Sequence, residues 1–192
     1  QEQKAELISR LQEYDCNVPD IKVIPAGGID RLRRPETERK PYSLLTVSRI
    51  DRRKKIDWMI KSVIKAHQKN PEIFLDIYGG DEYGFLSELQ AMVAEAQAQS
   101  YIRFQGWADV TEIYKNYEVY LTASLWETLG LSVMEAIGSG NAVIGLNVRY
   151  GNRLFVHPGE NGYLVDFDPA YVTGDDTELI EAMNKKIVDI FS

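Results

Sequence analysis

From residue 42 onward, short apolar runs alternate with longer segments whose apolar residues recur every three or four positions. Residues 42–48 (Y-S-L-L-T-V-S), 73–78 (I-F-L-D-I-Y), 101–105, 118–123 (E-V-Y-L-T-A), 142–145 (A-V-I-G) and 163–165 (Y-L-V) read as strands. Between the first two, Ile56, Ile60, Val63, Ile64 and His67 share one helical face. Phe85, Leu89, Met92, Val93 and Ala96 mark the next helix, and Asp109 is expected to cap a helix holding Ile113 and Tyr114. Another helix should begin near Gly130, with Leu131, Met134 and Ile137 as its apolar stripe and Gly138 and Gly140 at its end. A short helix over residues 150–156 and a closing helix over residues 177–191 complete the pattern. Such alternation predicts an α/β fold, a doubly wound parallel sheet with helices on both faces. Ahead of it, Ala5, Leu7, Ile8 and Leu11 mark a helix over residues 3–14, and Ile21, Lys22, Val23 and Ile24 read as a strand closed by P-A-G-G. Residues 29–41 are polar, basic and broken by Pro35 and Pro41, as a linker would be.

Composition removes several classes of function. No apolar run approaches the roughly 20 residues of a membrane helix, and no signal peptide is expected. Cys16 is the single cysteine, so no internal disulfide can form and a reducing cytoplasm fits. His67 and His157 are the only histidines, which leaves no Cys/His cluster for zinc. A net charge of −7 argues against general nucleic-acid binding. That charge is uneven, because residues 31–55 hold ten Lys and Arg against Glu36, Glu38 and Asp51. Most of these cations read as a solvated linker and turn. Arg49 and Lys54 differ, since they follow a predicted strand at the carboxyl edge of the sheet, where two cations would neutralise a diphosphate.

The stretch with the densest chemistry is residues 124–140, S-L-W-E-T-L-G-L-S-V-M-E-A-I-G-S-G, set between two strands. A strand, tight turn, helix and strand form a βαβ unit whose helix N-terminus offers free amides and a positive dipole end to an anion. Open α/β sheets bind ligands at that edge. Glu127 precedes the helix, Glu135 lies inside it, and Gly130 stands between them where backbone must approach a ligand. Two glutamates eight residues apart are commonplace, so their setting rather than their spacing makes them candidates. Carboxylates in those places would bracket a phosphate by gripping sugar hydroxyls on either side, as a nucleotide sugar requires. Gly79, Gly80 and Gly84 lack dinucleotide-loop spacing and read as a tight turn. Asp166-Phe167-Asp168 has the letters of a metal-binding D-x-D, but beside Pro169 it reads as a polar turn.

This stretch resembles the Glu-x7-Glu signature of the retaining family-4 glycosyltransferases, E-G-F-G-L-x-x-x-E-A-x-x-x-G-x-P-V-I. Glu127, Gly130, Leu131, Glu135, Ala136, Gly140, Val143 and Ile144 match it. Thr128 and Leu129 stand where the pattern has Gly-Phe, and Asn141 where it has Pro. The run S-R-I-D-R-R-K-K-I-D-W is similar to that family's G-R-L-x-x-x-K-G-x-D, with Arg49, Lys54 and Asp57 matching and Ser48 and Lys55 in place of its glycines. I-P-A-G at residues 24–27 resembles the interdomain hinge, and E-N-G-Y-L-V at residues 160–165 a late segment of the family. The text is most similar to the bacterial accessory-Sec N-acetylglucosaminyltransferases of serine-rich adhesins, with the poly(glycerol-phosphate) α-glucosyltransferases as the near alternative.

The resemblance implies the C-terminal, Rossmann-like half of a two-domain GT-B enzyme. Residues 1–30 would then end the N-terminal domain and form the hinge, residues 31–41 the linker, and residues 42–192 the nucleotide-sugar domain. Glu127 would hold the donor sugar, Glu135 the ribose of UDP, and the loop Thr128, Leu129, Gly130 and Leu131 the phosphates, aided by Arg49 and Lys54. Gly106 and Trp107 would line the base. The implied activity is retaining hexosyl transfer from UDP-N-acetylglucosamine or UDP-glucose to a protein serine or threonine or to a polyol phosphate. No metal cofactor is expected, and a fragment of this size is expected to be inactive alone. Expected partners are the UDP-sugar, the missing acceptor domain and a second glycosyltransferase-like subunit. Nucleic acid is not expected, and membrane association would be peripheral at most. The same fold also serves non-catalytic nucleotide- or partner-binding modules.

Overall fold

The computed structural model describes residues 2–23 and 38–192. Two compact units divide the chain, Gln1–Arg31 and Leu32–Ser192. In the first, α1 (Glu2–Glu13) has no buried residue: Ile8 and Leu11 of its apolar stripe are partly covered, and Ala5 and Leu7 are exposed. Residues 21–23 form no strand. A strand is held by its neighbour's ladder, and nothing described in this unit supplies one. The remainder of that expected strand, the P-A-G-G turn and most of the linker fall outside the described residues.

The second unit carries a six-stranded, all-parallel sheet. Its strands are β1 (Ser43–Val47), β2 (Phe74–Tyr78), β3 (Ile102–Gly106), β4 (Val119–Leu121), β5 (Ala142–Leu146) and β6 (Gly162–Val165). The connecting helices are α2 (Ile56–Lys69), α3 (Leu86–Glu95), α4 (Leu131–Gly138), α5 (Gly151–Phe155) and α6 (Thr177–Ile190). Strand order is β3-β2-β1-β4-β5-β6, the doubly wound arrangement. Consecutive residues of the central strands enter opposite cores, as pleating demands. Leu44, Val119 and Ile144 pack with Ile60, Val63, Ile180 and Met183 under α2 and α6. Leu45, Tyr120 and Val143 pack with Tyr114, Val133, Ala136 and Val156 under α4 and α5. Burial on both faces is why these strands read as unbroken apolar runs. Among the described residues, no helix is long and apolar enough to cross a membrane.

Two local expectations change, and one residue carries a feature that the sequence did not flag. Leu131 leaves the stripe of α4 and is 59% exposed, while Val133, Met134 and Ala136 are buried. The helix begins at the sheet's open edge, so its first residue faces outward. Asp109 caps no regular helix; its carboxylate accepts from the amide and hydroxyl of Thr111 (3.1 and 2.8 Å), and only a short 3-10 turn, Tyr114–Asn116, follows. Asp76, inside an apolar run, is 1% exposed at the centre of β2. Arg103, directly across on β3, donates to it twice (2.6 and 2.9 Å), and Gln105 (3.0 Å) and the Tyr117 hydroxyl (2.6 Å) donate as well. With four donors the carboxylate is compensated, as a buried charge must be.

Candidate functional site

Strands β1 and β4 are neighbours whose onward connections run to opposite sides, which opens a crevice at their carboxyl ends. The loops after these two strands wall a cleft of about 740 Å³. In the first loop, Asp51 accepts from the Arg53 amide (2.8 Å) and so caps the 3-10 turn Arg52–Lys54. The Arg53 guanidinium also donates to it (2.7 Å), and these bonds hold the Asp51 carboxyl down to about 2. This turn directs Lys54 into the cleft.

In the second loop the Leu125 amide donates to the Arg53 carbonyl (2.9 Å), stitching the two walls together. Glu127 is fixed through its backbone: its amide donates to the Arg149 carbonyl (3.1 Å), and its carbonyl accepts from Tyr150 (2.6 Å) and Gly151 (2.9 Å). Its carboxylate accepts from Lys54 Nζ at 2.6 Å. Gly130, with φ 73°, turns the chain into α4 and, as the residue at the cap position, brings no capping side chain of its own. The first amides of such a helix have no partner within the helix itself and point toward the cleft end, as an anion site needs. Behind the loop, a Cβ on Gly151 would stand 2.3 Å from the Leu129 carbonyl oxygen, so only glycine permits this approach. One turn into α4, Glu135 Oε2 accepts from the Tyr114 hydroxyl (3.0 Å).

Eight of the ten residues expected from the sequence line this one cleft: Arg49, Lys54, Glu127, Thr128, Leu129, Gly130, Leu131 and Glu135. Arg49 lies at its rim, beside Glu82 and the Tyr83 hydroxyl (each 3.3 Å). Gly106 and Trp107 do not line it. They end the edge strand β3, two strands away from β1, where Trp107 is 82% exposed. The cleft also takes in Ser48, Asp51, Arg53, Trp126 and Ser132, which sequence reading did not single out. Trp126, whose ring meets Tyr150 edge-on at 5.6 Å, could have been found from its place beside Glu127. Behind the cleft wall, buried Tyr120 donates its hydroxyl to the carbonyl of Val47 (3.1 Å), which does line the cleft. Among the described residues no three His, Cys, Asp or Glu side chains gather as a metal would need. Asp166 accepts from Asn147 (2.9 Å), and Asp168 caps the turn Pro169–Val172.

A doubly wound parallel sheet with a helix N-terminus and two carboxylates at its switch point defines a Rossmann-like domain. Residues 29–186 match the family model described as Glycosyl transferases group 1, and the chain belongs to that family. It is 44% identical over 191 residues to the UDP-N-acetylglucosamine–peptide N-acetylglucosaminyltransferase GtfA subunit of Streptococcus gordonii, covering 99% of this chain and 37% of the relative. A solved structure of the pneumococcal O-GlcNAc transferase GtfA in complex with UDP and GlcNAc superposes with a TM-score of 0.91 at 40% identity, over 100% of this chain and 37% of that one. The structure of a GtfA/B complex does so with a TM-score of 0.87 at 43% identity, over the same shares. The chain thus spans little more than a third of the length of these relatives. The names of the first two relatives are those of N-acetylglucosaminyltransferases acting on peptide or forming O-GlcNAc, not of poly(glycerol-phosphate) glucosyltransferases.

Proposed function

We propose that residues 42–192 form the nucleotide-sugar domain of a retaining glycosyltransferase that moves N-acetylglucosamine from UDP to serine or threonine of a protein. One observation carries the reading: a single cleft gathers Lys54, Glu127, the start of α4 and Glu135. Breaking the bond between sugar and diphosphate leaves negative charge on UDP. The α4 N-terminus, Lys54 and Arg49 are set to stabilise that charge as it forms. Glu127 accepts from hydroxyls of the donor sugar, and Glu135 accepts from the ribose. Gly106 and Trp107 flank the base only if the uracil reaches from the cleft toward β3.

Residues 1–30 belong on this reading to the end of the preceding domain, which supplies the acceptor side. A second glycosyltransferase-like subunit is a further partner, as in the GtfA/B complex. The reaction takes place in the cytoplasm, in keeping with a lone cysteine. Calorimetry of this chain with UDP, UMP and uridine tests the reading. Affinity should rise with each phosphate; no affinity for UDP, together with a protein-binding surface, would favour the non-catalytic module.

A further inference from the structure

Tyr114 is fully buried in the core beneath α4, its ring 5.9 Å from that of Tyr120. A buried phenol needs a hydrogen-bond partner, and a backbone carbonyl usually serves. Here the hydroxyl reaches a carboxylate that lines the cleft, donating to Glu135 Oε2 at 3.0 Å. Burial, reinforced by the Tyr120 and Glu135 side chains, pushes the phenol above its ordinary range, which favours its protonated, donating form.

Both ends of this hydrogen bond are tied to one residue. Asn141, 3% exposed, donates to the carbonyls of Tyr114 (2.9 Å) and Tyr117 (2.6 Å). Its own amide donates to the Ala136 carbonyl (2.9 Å), next to Glu135 on α4. The phenol therefore approaches Glu135 from a backbone that Asn141 ties to the helix. With Oε2 held from below, rotation of the carboxylate is restricted and the direction of Oε1 is set.

We infer that Tyr114 is the positioning residue for ribose recognition, fixing the direction in which Glu135 accepts from the ribose hydroxyls of a uridine nucleotide. This rests on the reading of Glu135 as the ribose acceptor. Selectivity for an intact ribose then depends on a residue that never touches the nucleotide.

The test compares UDP with 2′,3′-dideoxy-UDP, which keeps base and phosphates and lacks both hydroxyls. The ratio of the two dissociation constants, measured on one preparation, does not depend on how much of it is folded. Wild type should prefer UDP by on the order of tenfold. Tyr114→Phe, which retains the ring, and Glu135→Gln should each bring the ratio to within about threefold of unity, and the double variant should go no further. A ratio that collapses in Glu135→Gln but survives in Tyr114→Phe overturns this inference and leaves the site intact. Equal weakening of both ligands in Tyr114→Phe overturns it too, by showing a merely structural role. No preference in wild type, with Glu135→Gln silent, overturns the ribose assignment itself.

Discussion

Lys54 Nζ and Glu127 Oε1 stand 2.6 Å apart across the cleft, one on the loop after β1 and the other on the loop after β4. Their side chains are 24% and 12% exposed, so water compensates little if either is removed. Each is also the proposed partner of a different part of the donor. On that proposal the pair would lie between the phosphate, beside Lys54, and the sugar, beside Glu127, each keeping capacity for a second partner.

Lys54→Ala should weaken UDP binding by on the order of tenfold and leave uridine nearly unaffected, because only UDP carries the phosphates. Arg49→Ala should act in the same direction but less, since Arg49 is half exposed and already shared with Glu82. Titration of both ligands against both variants checks this, and added salt should weaken UDP binding in parallel.

Asp51 makes stability depend on acid pH. Its folded value, about 2, lies below the ordinary 3.8, so the stability it contributes is present above pH 4. That contribution fades as pH falls from about 4 to about 2. Thermal midpoints of wild type and Asp51→Asn should therefore converge over that interval. At neutral pH the variant should also bind UDP less well, because the turn that directs Lys54 loses its cap.

Gly151→Ala should disturb the site without touching a ligand. The new methyl group would meet the Leu129 carbonyl at 2.3 Å, and backbone must yield. A stability loss of about 1–3 kcal/mol is expected from such crowding. Denaturant titration reads the loss, and UDP affinity should fall with it as the loop before α4 shifts.

Amide exchange should separate the two units. Residues 21–23 make no ladder bonds, whereas β1 is paired on both sides. In the isolated chain, Ile21 and Val23 should exchange rapidly while Leu44 and Leu45 stay protected. Equal protection would place the first segment in a sheet.

Much of this architecture was legible because central parallel strands are buried on both faces and cannot hide in a sequence. The cleft was legible for a related reason. Glu127, Gly130 and Glu135 come from one short βαβ unit, and Lys54 from the turn of its neighbour. What escaped depends on contacts distant in the chain. Tyr114 and Tyr120 read as core residues, and periodicity says nothing of where a phenol hydroxyl ends. Asp76 sits in an apolar run because its countercharge, Arg103, comes from another strand. Leu131 has the spacing of a core residue, but the helix starts where the core stops. Trp107 follows the edge strand, so its distance from the cleft was set by strand order, which the chain does not spell out.

The stitch between Leu125 and Arg53 has a thermal consequence. It joins loops about 70 residues apart, so the crevice exists only while both halves of the sheet stay docked. A nucleotide bridging the same two loops would work as a removable rivet, present in the folded form and useless to the open chain. At a hundred times its dissociation constant such a ligand adds about 2.7 kcal/mol to the folded state. The heat tolerance of this domain would then rise and fall with the supply of its own substrate.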